Sequence, residues 1–531
     1  MKINKFTSLF ATCLLMGLTA CSNDNVSDAD YSNSAKDKDL TGKTSFSITS
    51  EAKTRTSGVY NSGVDFYWTP NDNIWVNSGS TTSPTLTASS SNNITSTTTS
   101  AKFYFDGTYT AASYPVRYTG KASTSGNTVT IATSQNQDEA NNATQLGTVG
   151  DCGVGTATRQ TDGSYKFTLS HKASYITFMP YYSKEPLDAS AVVTQIKVEA
   201  ANDEKLAGTF NFSDSGLGAA NSSSNSVTLT LNGTSSTTGF PIPTTATASK
   251  NAAIMVVAPG TYSTFKVTYT LYDSVTGTNS TISYTYSGIN CIAGKNQVIK
   301  TDLGMATYTS RKNKYYMWDA VSNYWDGHAN SQPLLNNAVN TNYATSSGDS
   351  RWYNTTFTDK VQTKAINSCK DAPTFEALTW YIGGGSPQLD NKTLWVFANH
   401  LYAGGIWLKK KSKILGFNPA ESYTGTATWV SGKDIKFTVS NFGKPESTVR
   451  SDYFYLPALG QYVDGKLTGL GVKGYYWAST PNPVNDGDRS QPYGKVISAN
   501  CLRFATDATL NNVYVRSYYE RYVGMQVQKF E

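Results

Sequence analysis

Side chains able to do covalent chemistry are scarce in this sequence. Its three histidines, His171, His328 and His400, show no HxxxH or HExxH spacing, the pattern that would set a metal pair on one helix face. His171 lies between two strand-like runs with no acidic or nucleophilic partner implied, and it reads as a structural hydrogen-bonding residue. His400 follows the apolar run Leu394 to Phe397 and reads as a strand cap. Ser386, in Gly383-Gly384-Gly385-Ser386-Pro387, lacks the GxSxG elbow, and Pro387 would remove the N–H that such an elbow offers to an oxyanion. Hydrolytic carboxylate pairs depend on spatial placement, and no segment points to one. The expectation is a protein that is not an enzyme, with no catalytic residue, no cofactor and no metal.

Binding chemistry is better represented. In the segment Thr480 to Tyr493, Asn482, Asn485, Asp486 and Asp488 offer oxygens to a hydroxyl-rich sugar or a Ca²⁺, and Arg489 offers a planar donor fork. Turn formation accounts for the same residues without a ligand. Of six cysteines, Cys13 and Cys21 fall in or next to an N-terminal leader, leaving Cys152, Cys291, Cys369 and Cys501. Four cysteines allow three pairings, among which sequence does not choose; pairing within domains, Cys369 with Cys501 and Cys152 with Cys291, is favoured. None sits in CxxC or beside a histidine, which argues against a metal or redox site. Arg55 stands in the polar turn Lys53 to Asn61 between two strand-like runs, the kind of loop tip where proteases cut; Thr56 would be the new first residue.

The leader sets the compartment. Lys2 and Lys5 precede the apolar stretch Leu9 to Ala20, which is shorter than the ~20 residues of a membrane span and suits a signal-peptide core. It ends Leu18-Thr19-Ala20-Cys21, which resembles a bacterial lipobox in which the Cys21 thiol accepts a diacylglyceryl group. Residues 21–40 carry Asp24, Asp28, Asp30, Asp37 and Asp39 with almost nothing apolar to bury, so they read as a flexible tether.

The elements positioning these residues read as β. Only 38% of residues are apolar and 15% charged, alongside 35 Tyr and many Ser and Thr, a composition that favours strands over helices. Net charge is 44 − 38 = +6 with no long basic block, too weak a field to imply nucleic acid. Lys409-Lys410-Lys411 reads as a solvated turn or a guard on a sheet edge. Period-2 runs such as Thr44 to Ile48, Val64 to Trp68, Lys102 to Phe105, Tyr175 to Tyr181, Val192 to Ala200 and Thr264 to Tyr272 are punctuated by Gly, Asn, Asp and Pro turns, the pattern of sandwiches. Ser/Thr tracts at 80–100 and 221–236 read as exposed loops. Trp68 and Trp75 alone precede residue 303, whereas eight tryptophans follow it, so the last third is expected to be a different fold. There, Thr374 to Tyr381 reads as a short helix with Glu376 near its positive end, stopped by Gly383 to Gly385.

Several stretches resemble the fimbrillin family of Bacteroidetes surface lipoproteins, subunits of protease-assembled pili. They are the lipobox at Cys21, Lys53-Thr54-Arg55-Thr56, Phe66-Tyr67-Trp68-Thr69-Pro70-Asn71-Asp72-Asn73-Ile74-Trp75-Val76, Leu169 to Phe178 and Leu206 to Phe210. The C-terminal third resembles the C-type-lectin-like module called the Fibrobacter major paralogous domain, through Phe454 to Gly460, Gly474 to Thr480, Leu502-Arg503-Phe504 and Arg521 to Val527. The resemblances imply a mainly β chain: a signal peptide 1–20, a tether 21–40, two transthyretin-like β-sandwich pilin domains at 41–185 and 186–303, and an α+β C-type-lectin-like domain at 304–531. The 480–493 loop lacks the family's full calcium-binding sequence, which argues against calcium.

The resemblance further implies an arginine-specific cut after Arg55 that removes the first strand and leaves a vacancy for a strand from another subunit. The residues Tyr514 to Phe530 look necessary to the terminal module itself, so the chain is expected to accept a strand and not to donate one. The expected role is a pilus-tip adhesin at the cell surface. Its partners would be other pilin subunits, a glycan or host-surface ligand, and the outer membrane through the precursor's lipid. A surface glycan-binding lipoprotein or a pilus anchor subunit is the alternative. Asp273-Ser274-Val275 also matches a short O-glycosylation acceptor pattern.

Overall fold

The computed structural model describes residues 40–48, 57–60, 64–233, 238–355, 364–425, 434–482, 498–507 and 511–531. The chain is mainly β, with 49% strand against 7% helix, so its cores form between sheet faces. A first sheet of nine strands contains β1 (Lys43–Ile48), β2 (Lys102–Asp106) and β3 (Tyr165–Phe167). Its order runs 86–88, 75–77, 113–118, 153–159, β3, β1, β2, 91–92, and 169–171 pairs with 153–159. Strict alternation builds it: in β2, Phe103 and Phe105 are fully buried while Lys102 and Asp106 face water. Phe46, Trp68, Val76, Phe103, Phe105 and Phe167 form its core.

Beyond it the sheets interleave in sequence. β4 (Ser174–Tyr181) is buried along almost its whole length, because it lies between 253–257 on one side and 296–302 on the other. Strand 134–137 joins 226–231 in parallel, and 128–131 joins 207–213. The expected boundary at 185 is therefore not respected by the strand pairing: the chain contributes 128–137 to the later sheets, returns to the first sheet for 153–171, and leaves again at β4. Ladder bonds join strands irrespective of sequence distance, and composition does not change at the crossings. The Ser/Thr tracts are also partly strand. Residues 216–224 pair with 207–213, and 86–88 and 91–92 lie at the two ends of the first sheet; an outer strand with a solvated face needs few apolar side chains.

The last third holds a five-stranded sheet built on 388–397, 400–409 and 453–457 and an eight-stranded sheet built on 473–481, 498–505 and 512–520. The expected helix is present as α1 (Phe375–Gly383), starting one residue later and ending two residues later than read from sequence. Thr374 Oγ1 accepts from Ala377 N at 3.1 Å, and Gly384 is the C-cap. The chain terminus belongs to this core. Phe530 lies 5.3 Å from Tyr381 and 5.4 Å from Phe454, and Met525–Gln526 pairs with 315–316 and 473–481.

Candidate functional site: the seat of the first strand

β1 occupies an interior position in the nine-stranded sheet although it is the first described element. It runs antiparallel to β2, with Phe46 opposite Phe103, and parallel to β3, with Phe46 opposite Tyr165. Both of its main-chain edges are thus used. Phe46 is its one fully buried side chain, enclosed by Phe105 at 4.9 Å, Tyr109 at 5.4 Å and Tyr165 at 4.6 Å between ring centroids. At the strand's start, Lys43 Nζ lies 2.9 Å from Asp106 Oδ1 and donates to Ser90 Oγ at 2.9 Å. Thr44 Oγ1 donates to Gly107 O at 2.8 Å. Ladder bonds, one aromatic anchor and an end charge pair thus hold β1 in its seat. Its sheet neighbours keep their own pairs on their far sides: β2 with 91–92 and β3 with 153–159.

Arg55 and Thr56, expected to be the processing residues, and Cys21, expected to carry the lipid, lie outside the described residues, as do Asn485, Asp486, Asp488, Arg489 and Trp429. Asn482 is described, and its side chain is used within the fold. It is 5% exposed, and its amide donates to Ser498 Oγ at 3.0 Å and to Ser517 O, so it ties together the ends of two neighbouring strands. Trp407, considered as a sugar platform, is half-buried, donates from Nε1 to Asp390 Oδ2 at 2.9 Å and packs on Tyr455. Trp477 is core, as read from sequence. In the basic run, Lys410 pairs with Glu531 at 3.2 Å.

The expected disulfides are absent: Cys152, Cys291, Cys369 and Cys501 are all buried free thiols. Members of each pair share a core but sit on separate elements with their own partners. Cys369 Sγ accepts from Asp319 N at 3.2 Å, and Cys501 lies mid-strand opposite Trp477 and Arg516. Burial pushes all four thiols up, Cys291 to about 12.

Two histidines have carboxylate partners that sequence did not reveal. His171 Nδ1 is 2.7 Å from Asp151 Oδ1, which also accepts from Tyr175 OH, and the imidazole stacks on Phe66 at 4.0 Å. His400 Nδ1 is 3.1 Å from Asp273 Oδ2, and Ser190 Oγ donates to Asp273 Oδ1 at 2.8 Å. Ser, His and Asp therefore meet, but with the aspartate in the middle. The imidazole nitrogen nearest the serine, at 3.4 Å, is the same one that faces Asp273, so the set lacks the nucleophile–base–carboxylate relay of a hydrolase. It joins elements far apart in the chain: Leu401 N donates to Asp273 at 2.9 Å and Thr276 Oγ1 to Leu401 O at 2.8 Å. Asp273 is thereby fully buried, whereas Ser274 is exposed in the turn after 260–273.

No family model matches the chain, and no curated protein matches it. Among solved structures, a proposed cell adhesion protein from Bacteroides uniformis is similar over 49% of this chain and 93% of its own, at 13% identity and a TM-score of 0.29. Another from Bacteroides ovatus covers 49% and 92%, at 12% identity and 0.30. A fimbrial protein from Bacteroides ovatus covers 91% and 99%, at 10% identity and 0.25. These superpositions are loose, so function has to be read from the chain's own geometry.

Proposed function

We propose that this protein is a structural and adhesive subunit of a cell-surface fibre. In this reading it is exported with a lipid on Cys21, cut after Arg55, and completed by a strand from another subunit. The observation that carries the reading is the interior seat of β1. A cut at Arg55 would separate β1 from the rest of the chain and leave the facing N–H and C=O rows of β2 and β3 unpaired, with an aromatic-lined gap where Phe46 sat. Open edges of this kind recruit an added strand.

The packing at the other end of the chain supports a terminal place in the fibre. Residues 512–520 pair along one side with 498–505, 512–515 also pair with 435–438, and Phe530 is buried, so extracting this strand as a donor would dismantle the core around α1. Growth would stop at a subunit that accepts and does not give. The last third would then face outward toward a glycan or host surface.

The test is mass spectrometry of the mature N-terminus taken from the surface of the native host. A start at Thr56 supports strand removal. A start at acylated Cys21 means that β1 stays attached, which overturns the tip role in favour of an anchored subunit or glycan-binding lipoprotein.

A further inference from the structure

The last third has a cleft of about 480 Å³, in the size range of small-ligand sites, whose lining includes Arg311, Lys314, Ser368, Asp371, Gln528 and Lys529. Three cations thus face one carboxylate. Arg311 is half-buried and fixed: Nε donates to Oε1 of the fully buried Gln526 at 3.0 Å, and Nη2 to Val527 O at 3.2 Å. Gln526 is itself held by its Nε2 donating to Arg311 O at 3.2 Å. Both acceptors of the guanidinium are neutral. Among the described residues, Arg311, Lys314, Lys529 and Asp371 form no ion pair, although ion pairs occur at many other places. The titratable groups that bear on Arg311 are the phenols of Tyr476, Tyr315 and Tyr308, and burial lowers its affinity for its proton.

A partly desolvated guanidinium without a counter-ion is costly, and it is held here in one orientation beside two further cations. Such a fork suits a planar or tetrahedral oxyanion. The exposed Asp371 works against a polyanion, while Ser368 and Gln528 suit neutral hydroxyls. We propose that this cleft binds an acidic sugar, a saccharide unit bearing one carboxylate or sulfate, with Arg311 gripping the anion and Lys314 and Lys529 flanking it. The inference is independent of strand exchange, and none of the cleft's lining residues belongs to the 480–493 segment.

The experiment is calorimetric titration of the full chain with glucuronic acid, N-acetylneuraminic acid and galactose 6-sulfate, using galactose and inorganic sulfate as controls. At least one acidic sugar should bind about tenfold or more tightly than galactose and inorganic sulfate. Binding should weaken as salt rises from about 0.05 to 0.5 M. Carboxylate sugars alone, the sulfated sugar alone, or both binding would support the proposal and identify the anion. Arg311→Gln should abolish binding. Because Arg311 also packs, the exposed Lys529→Gln, with an unchanged thermal midpoint, should weaken binding several-fold. No binding, equal binding of galactose, equal binding of inorganic sulfate, or an unaltered response in both variants would overturn it.

Discussion

The ring of Phe46 stacks on that of Tyr165, with centroids 4.6 Å apart and planes only 8° from parallel. The two residues are also directly paired across the parallel ladder between β1 and β3. Side-chain stacking and main-chain register therefore fix β1 at the same point. Phe46→Ala should cost about 3–5 kcal/mol, measured by urea unfolding, because it opens a gap beneath Phe105, Tyr109 and Tyr165. Leu415→Ala, at a side chain 97% exposed, should stay within about 0.5 kcal/mol.

A chain beginning at Thr56 should show a lower thermal midpoint that a peptide of sequence Lys43 to Ile48 restores in a dose-dependent way. The same peptide with alanine at Phe46 should not. Equal rescue by both peptides would show that the aromatic anchor contributes nothing to the seat.

Asp214 holds the buried Arg117: Nε to Oδ1 is 2.6 Å, and Arg117 is 2% exposed. Its Nη1 also donates to Gly126 O, Asn127 Oδ1 and Phe212 O. Arg117 lies on a first-sheet strand and Asp214 in the turn between 207–213 and 216–224, so the pair ties two sheets together. Asp214→Ala should destabilise by about 3–5 kcal/mol, since it leaves a buried cation unpaired, whereas removing both partners should cost less than the sum of the singles. Chemical denaturation of the two singles and the double mutant checks this.

Asp273→Ala should loosen the attachment of the last third. It strands donors at Ser190, Val275 and Leu401 together with His400, at about 1–3 kcal/mol for each unsatisfied group. Limited proteolysis should show faster release of a fragment beginning near residue 304, with the near-ultraviolet signal of its tryptophans retained.

The four thiols should resist iodoacetamide at pH 8 in the native protein and react after denaturation without reductant. Mass spectrometry counts the adducts, and absence of labelling in denaturant would indicate disulfides. Burial raises their proton affinity in the folded chain, so between the unfolded and folded values the native state binds more protons. Their contribution is complete below about pH 8.5 and is lost as pH rises toward the folded values, about 12 for Cys291. Tyr182, Tyr284, Tyr308 and Tyr381, each pushed up to about 12 by burial, add a loss of the same sign above about pH 10. Thermal midpoints should therefore fall steadily from about pH 9 upward.

Local pattern alone determined much of the secondary structure. Period-2 alternation located β1, β2 and β4, and Thr374, Glu376 and the following glycines located α1, because these signals act between residues a few positions apart. Which strands are neighbours was decided only in three dimensions. Nothing in Thr128 to Ile131 or Ser174 to Tyr181 reveals that they pair with strands beyond residue 200, since main-chain donors and acceptors are identical at every position. For the same reason the interior place of β1, the carboxylates beside His171 and His400, and the cleft around Arg311 could not be read from spacing: each joins residues tens to hundreds of positions apart. The clamp made by Asn482 shows the converse, for a loop asparagine that looks available in sequence becomes a buried structural donor once the strands on either side close over it.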